Sequence, residues 1–253
     1  MTQFPSTWFD KRPLVIGHRG ASHEAPENTL AAFQAAVAAG ADGVELDVHL
    51  TADGIPVVIH NARVDDTTDG VGLVNDLSLA EIRRLDAGSY LGAPGAFSGE
   101  RIPTLEEVLV THGQQLLINI ELKGQIRPQA AAQLETVVAE LVRRLGLQQR
   151  VWISSFKPYS LYQMRHAAPE IRCGLLYSPL SLGSAWLAPL TPFEALHPHT
   201  RLVWPWFVRL AHRLGKWVVV WTVDDVDRAR ELARAGVDAI ITNDPRALRA
   251  QRL

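Results

Sequence analysis

Runs of Val, Ile and Leu recur along this chain with room for about one helix between each. That alternation constrains the fold more than any other feature. Eight apolar runs read as strands, at 14–17, 43–48, 116–122, 151–155, 173–177, 195–198, 217–223 and 238–242. Stretches of helical period separate most of them, at 29–39, 104–112, 128–145, 158–167, 205–214 and 225–235. A parallel strand needs a crossover to reach its neighbour, so eight strand–helix units in 253 residues predict an α/β fold, a (β/α)8 barrel of the TIM type. Such a barrel buries its core as one domain, here expected to span 1–253.

Two segments break the rhythm. "LTADGIPVVIH" follows the second strand with an Asp53-Gly54 turn and no space for a crossover helix, so it predicts an extra antiparallel hairpin. Pairing Leu50 with Ile55 would set His60 opposite Glu45, and a two-residue turn would set it opposite Asp47. Residues 61–103, rich in Gly and Asp with one short helix near 78–85, form an insertion before the next long helix. A loop of that length in a compact domain is usually functional, and we expect it to cap the C-terminal rim.

Charge and cysteine usage narrow the function classes. A formal net charge of -2, with no Lys/Arg block, argues against nucleic acid or an anionic membrane as partner and for a small molecule held locally. The one cysteine, Cys173, excludes an intrachain disulfide and suits a reducing compartment. The start "MTQFPSTWFDKRP" lacks the apolar run of a signal peptide, and no stretch approaches ~18 consecutive apolar residues. The expectation is a cytoplasmic protein without stable membrane insertion.

The chemistry-bearing residues gather at predicted strand ends. Glu45 and Asp47 lie two apart on the second strand, so their side chains share a face. A lone E-x-D at a strand end is ordinarily a pair of solvated carboxylates. Here the flanks are apolar and the strand is central, where unpaired carboxylates are costly, so the pair calls for a cation. "NIELKG" puts Asn119, Glu121 and Lys123 on one face of the third parallel strand, delivering a third carboxylate and a cation to the same rim. Three carboxylates suit a hard divalent ion, Mg²⁺ or Ca²⁺, better than zinc. Lys123 would meet a phosphate oxygen or merely pair with Glu121. "GHRG" at 17–20 brings His18 and Arg19 to the rim, where Arg19 offers a fork of donors for phosphate or an ordinary ion pair. Trp221 in "WTVDD" reads as a ligand wall or as core. Asn28 and Thr29 read as a helix cap, "ITNDP" as a strand end with a cap, and His23 carries no role.

With these motifs in order, the chain resembles the bacterial glycerophosphodiester phosphodiesterases. The resemblance runs through "GHRG", "PENTLAAFQAA", "GADGVELDV", "TADGIPVVIH", "TTDGVG", "IPTLEEVL", "IELK", "WTVDD" and "GVDAIITNDP", nearly the whole chain. It implies hydrolysis of glycerophosphodiesters to sn-glycerol 3-phosphate and an alcohol, with His18 and His60 as the acid/base pair. It further implies that Glu45, Asp47 and Glu121 hold the metal while Arg19 and Lys123 meet the phosphate. Where the family often has Asp after the second histidine, this chain has Asn61. Two other readings use the same scaffold: a lysophospholipase D-like activity, its acyl channel lined by Trp186, Leu187, Trp204, Trp206 and Phe207, and a catalytically silent phosphoester-binding module.

Overall fold

The computed structural model of the chain describes residues 13–92, 95–123, 128–181 and 192–251; the N-terminal stretch considered above, Trp186 and Leu187 lie outside them. Its strands are β1 (Leu14–His18), β2 (Gly43–Leu50), β3 (Pro56–Val58), β4 (Leu117–Leu122), β5 (Val151–Ser155), β6 (Arg172–Tyr177), β7 (Ala195–Pro198), β8 (Trp217–Val220) and β9 (Ala239–Thr242). β1 pairs with both β2 and β9, closing eight parallel strands into a barrel, and β3 hangs antiparallel on β2 as the extra hairpin. The helices are α1 (Leu30–Ala38), α2 (Leu79–Ile82), α3 (Leu105–His112), α4 (Pro128–Arg144), α5 (Pro158–Ala167), α6 (Pro205–Arg213), α7 (Val226–Ala235) and α8 (Pro245–Ala250). Their starts follow local chemistry: Thr29, Thr104, Asp225 and Asp244 accept from backbone amides of the first turn, and Thr104 forms a capping box with Glu107.

The hairpin register corrects both sequence expectations. Leu50 faces Pro56 and Val48 faces Val58, one step between the two predicted pairings. Thr51 explains the offset: its amide bonds Ile55 O, and its hydroxyl accepts from Ile55 N at 2.9 Å, fixing a longer turn around Gly54. One further bond, Ile59 N to Asp47 O at 3.0 Å, carries the chain to His60 beyond the ladder's end.

Register also sets the barrel's interior. Followed from His18 through Glu45, Asn119, Trp152 and Arg172 and on around the circuit, the pairings return to β1 eight residues below the start. Horizontal layers therefore climb one residue per strand, and each takes side chains from alternate strands. Ile16, Asn119, Gly174 and Val219 form one layer. Above it lie Glu45, Ser154, His197 and Ile241, then His18, Glu121, Leu176 and Trp221, and at the mouth Asp47, Phe156, His199 and Asn243. The packing agrees: Leu14, Ile16, Leu117, Trp152, Val219, Ala239 and Ile241 form one apolar cluster with Trp217 and Trp221, while Val15, Val44, Leu46, Ile118 and Ile153 pack outward into the helix-facing core.

Residues 61–103 carry a small core of their own. Val64, Val74, Ile82, Ala87 and Ile102 cluster with Val57 and Ile59 of the hairpin, which ties this segment to the strand that leads to His60. No helix among the described residues is long and apolar enough to cross a membrane.

The turn after β1 depends on Gly20, whose φ is +88° and whose added Cβ would lie 2.6 Å from the Ala32 backbone. Gly20→Ala therefore combines left-handed strain with overpacking and should lower the unfolding free energy by about 2–4 kcal/mol in urea titrations. An unchanged midpoint would contradict this packing.

Candidate active site

β2 and β4 deliver the three carboxylates as the parity of their strands requires. Asp47 pairs in register with Glu121, and Glu45 sits one inward position below Asp47. One oxygen of each of Glu45, Asp47 and Glu121 lies within 4.8 Å of the others, and all three residues are buried. Two cations are built into the cluster. Lys123 Nζ lies 2.6 Å from Glu121 Oε1 and 2.9 Å from Asp47 Oδ1, so it joins two carboxylates rather than one. Arg19 Nε lies 3.4 Å from Asp47 Oδ2, its Nη1 donates to Glu27 at 2.8 Å, and its backbone N–H donates to Glu45 at 3.1 Å. This is no ordinary surface pair, because Asp47 beneath it is only 1% exposed.

The backbone is strained to hold Arg19 there. Arg19 and Asn28 have φ of 56° and 59°, left-handed values unusual outside glycine, and Asn28 N donates to Arg19 O at 3.0 Å. The Asn28 amide then donates to Asp47 Oδ2 at 2.9 Å and accepts from Asp47 N at 3.3 Å. Thr29 caps the helix; Asn28 is part of the site, which corrects its assignment as a cap. From the insertion, the Tyr90 hydroxyl accepts from Glu27 N at 2.9 Å and braces the Arg19 partner.

Three acids against two bases leave the cluster short of positive charge. Burial, with Asp47 and Glu121 nearby, raises the Glu45 pKa well above the carboxylate range. Burial and Asp47 raise Glu121 to about 7, against the pull of Lys123. Asp47 goes the other way: burial pushes it up, but Lys123, Arg19, His60 and the Asn28 bond together hold it well below its ordinary value. A cluster in which two carboxylates are pushed toward their protonated forms suits a cation that would take the place of the protons. Oxygen donors of this number fit a hard divalent ion.

The two histidines are presented alike. His18 Nδ1 lies 2.6 Å from Asn243 Oδ1, and the Asn243 amide is oriented by donating from Nδ2 to Asp224 at 2.7 Å. His60 Nδ1 lies 2.7 Å from Asn61 Oδ1, and Asn61 Nδ2 donates to Asp66. An amide oxygen only accepts, so each Nδ1 carries the proton and each Nε2 keeps its lone pair. His18 Nε2 lies 4.0 Å from Glu45. Burial lowers both imidazole pKa values, with Arg19 adding to the effect at His18 and Asp47 opposing it at His60. The His60 carbonyl accepts from His49 Nε2 at 3.1 Å, which anchors the residue where the ladder has ended.

Aromatic rings close one side of the mouth. Trp221 meets Phe156 at 5.5 Å and His199 at 5.3 Å between centroids, both edge to face, and its indole N–H donates to His197 O at 2.7 Å. Of the proposed acyl-channel residues, Phe207 is buried in packing, whereas Trp204 and Trp206 are exposed. His23 is exposed and reaches Asp244 only at 3.9 Å. Sequence reasoning missed Glu27, Asn28, Tyr90 and Asn243. Asn28 alone had a signal, since asparagine is among the few residues that tolerate a left-handed φ.

Comparison with known proteins agrees with this geometry. The model of the Glycerophosphoryl diester phosphodiesterase family matches residues 18–247. A glycerophosphodiester phosphodiesterase of Caldanaerobacter subterraneus subsp. tengcongensis is 43% identical over 239 residues, covering 94% of this chain and 96% of that protein. The structure of an Oleispira antarctica phosphodiesterase in complex with the product sn-glycerol-3-phosphate has a TM-score of 0.86 at 33% identity, covering 98% of each chain. A glycerophosphodiester phosphodiesterase structure from Agrobacterium tumefaciens has a TM-score of 0.79 at 31% identity, covering 94% of this chain and 99% of that one.

The raised Glu121 pKa sets a pH dependence. Its ordinary value is 4.5 and its folded value about 7, so between these limits the native state holds a proton that the unfolded chain has released. Its contribution to the stability of the metal-free protein therefore falls as pH rises through that window. A divalent ion bound at the triad would displace the proton, so the rise in Tm on adding saturating Mg²⁺ should be larger at pH 8 than at pH 6 in scanning calorimetry. A rise independent of pH would contradict the charge balance described.

Proposed function

The chain belongs to the glycerophosphoryl diester phosphodiesterase family, and from that premise we propose that it hydrolyses glycerophosphodiesters to sn-glycerol 3-phosphate and an alcohol. It is thus a phosphoric diester hydrolase whose partner is a small molecule. The observation that carries the reading is the triad of buried carboxylates within 4.8 Å, faced by imidazoles whose Nδ1 atoms are held by Asn243 and Asn61. The Oleispira antarctica relative binds sn-glycerol-3-phosphate, and the same half-product fits a site with Arg19 and Lys123 at its mouth.

In this reading Glu45, Asp47 and Glu121 hold one divalent ion, Mg²⁺ or Ca²⁺, which would neutralise charge on the phosphoryl oxygens when bound. Arg19 and Lys123 take the remaining phosphate charge, and Trp221 with Phe156 walls the pocket. One imidazole Nε2 removes the proton from the nucleophile. The other gains a proton as the phosphate anion docks, because a nearby negative charge raises its pKa, and gives that proton to the departing alkoxide. Asn61 and Asn243 keep both Nε2 atoms available without adding charge. Residues 61–103 belong to the same single domain and cap the mouth through Tyr90. A cytoplasmic location accompanies the reading and is supported by a chain with a single, buried cysteine.

A second substrate class is favoured by the aromatic mouth, since the exposed Phe156 ring against Trp221 would suit the acyl chain of a lysophospholipid. Parallel assays on glycerophosphocholine and lysophosphatidylcholine separate the two.

Chelation should abolish turnover, and Mg²⁺ or Ca²⁺ should restore it; full activity in excess EDTA would overturn the metal role. His18→Ala and His60→Ala should each cost about 10²–10⁴-fold in kcat on glycerophosphocholine. On a nitrophenyl phosphodiester, whose leaving group departs without a proton, the variant lacking the acid should recover much of its rate and the other should not. Wild-type rates from both variants in folded protein would disprove acid/base catalysis by this pair.

A further inference from the structure

The two layers below His18 hold polar groups that are enclosed and unpaired. Asn119, Ser154 and His197 are each 0% exposed. Both polar atoms of Asn119, the Ser154 hydroxyl and both ring nitrogens of His197 lack a hydrogen-bond partner within the protein. Buried polar groups are costly without partners, and five such atoms in two adjacent layers of a barrel otherwise filled by Ile16, Val219, Ala239 and Ile241 are not a packing solution.

Register places these groups against the carboxylates. Ser154 is the paired neighbour of Glu121 and shares a layer with Glu45 and His197, while Asn119 is the paired neighbour of Glu45. His197 leans inward over Gly174: a Cβ on that glycine would meet His197 Nε2 at 2.5 Å, so the imidazole fills the space left by a missing side chain, next to Ser154 in register. Burial lowers the His197 pKa to about 3, so the ring is neutral and offers one donor and one acceptor.

We propose that Asn119, Ser154 and His197 are positioning residues for the carboxylate cage, joined by enclosed water to the undersides of Glu45 and Glu121. An enclosed water needs two to four polar partners, which these two layers supply. Hydrogen bonds from below would fix the rotamers of both carboxylates and leave their remaining oxygens aimed upward. Groups that orient metal-holding side chains typically change metal affinity by 10–100-fold when removed. The inference rests on the metal reading above and extends it to three residues that touch neither ion nor substrate.

The test is Mn²⁺ affinity, read by electron paramagnetic resonance on folded, metal-free protein, together with the Tm of that protein. Ser154→Ala and Asn119→Leu should each weaken Mn²⁺ binding at least tenfold. Ser154→Thr, which keeps the hydroxyl, should restore it to within about threefold of wild type. His197→Leu is the harsher change, and His197→Gln checks it by returning a donor and an acceptor. Mn²⁺ affinity within twofold of wild type in Ser154→Ala and Asn119→Leu would overturn the proposal, whatever happens to Tm, and a raised Tm with unchanged affinity would mark the layer as dry. Failure of the wild type itself to bind Mn²⁺ would instead overturn the metal reading.

Discussion

Three carboxylates buried within reach of one another repel, and much of the site's construction answers that repulsion. Lys123 bridges two of them, and Arg19 is held in a left-handed backbone so that its side chain and its amide reach the other pairings. Even so the cluster stays short of positive charge, and the pKa values of Glu45 and Glu121 rise in response. In the proposed reading a divalent ion would complete the balance, and a phosphate would then meet a site already lined with Arg19 and Lys123. Affinity for metal and for substrate would then come from one arrangement of charge.

That arrangement depends on the barrel's stagger. Because each layer draws on alternate strands, Glu45 belongs with Ser154 and His197, Glu121 with His18 and Trp221, and Asp47 with Phe156 and Asn243. The three carboxylates therefore span three levels of the barrel, Glu45 level with polar side chains, Glu121 with an imidazole and the Trp221 ring, and Asp47 with the Phe156 ring. Few of these neighbours are near in sequence, and none is placed by its own strand alone.

The strands, the hairpin and the carboxylate face were legible because each follows from a local period. Glu45 and Asp47 had to share a face, and "TADGIPVVIH" had to turn back. What was not legible depends on tertiary registry. The hairpin slipped one step because the Thr51 hydroxyl captures Ile55 N, a contact with no pattern to announce it. Asn243 looks like a cap prelude until β1 and β9 pair and bring it to His18, 225 positions away in sequence. The role of Lys123 was left between phosphate and Glu121; the fold gives it Asp47 as well, through the pairing of β2 with β4.

The central claim is that one divalent ion sits among Glu45, Asp47 and Glu121. The most direct measurement is anomalous diffraction from crystals of this protein grown with Mn²⁺. The account predicts one strong peak within about 2.6 Å of an oxygen of each of the three carboxylates, with Lys123 shifted from its close contacts toward the phosphate side. A fully active, Mn²⁺-saturated crystal with no peak at the triad, or with its ion held elsewhere, would contradict it.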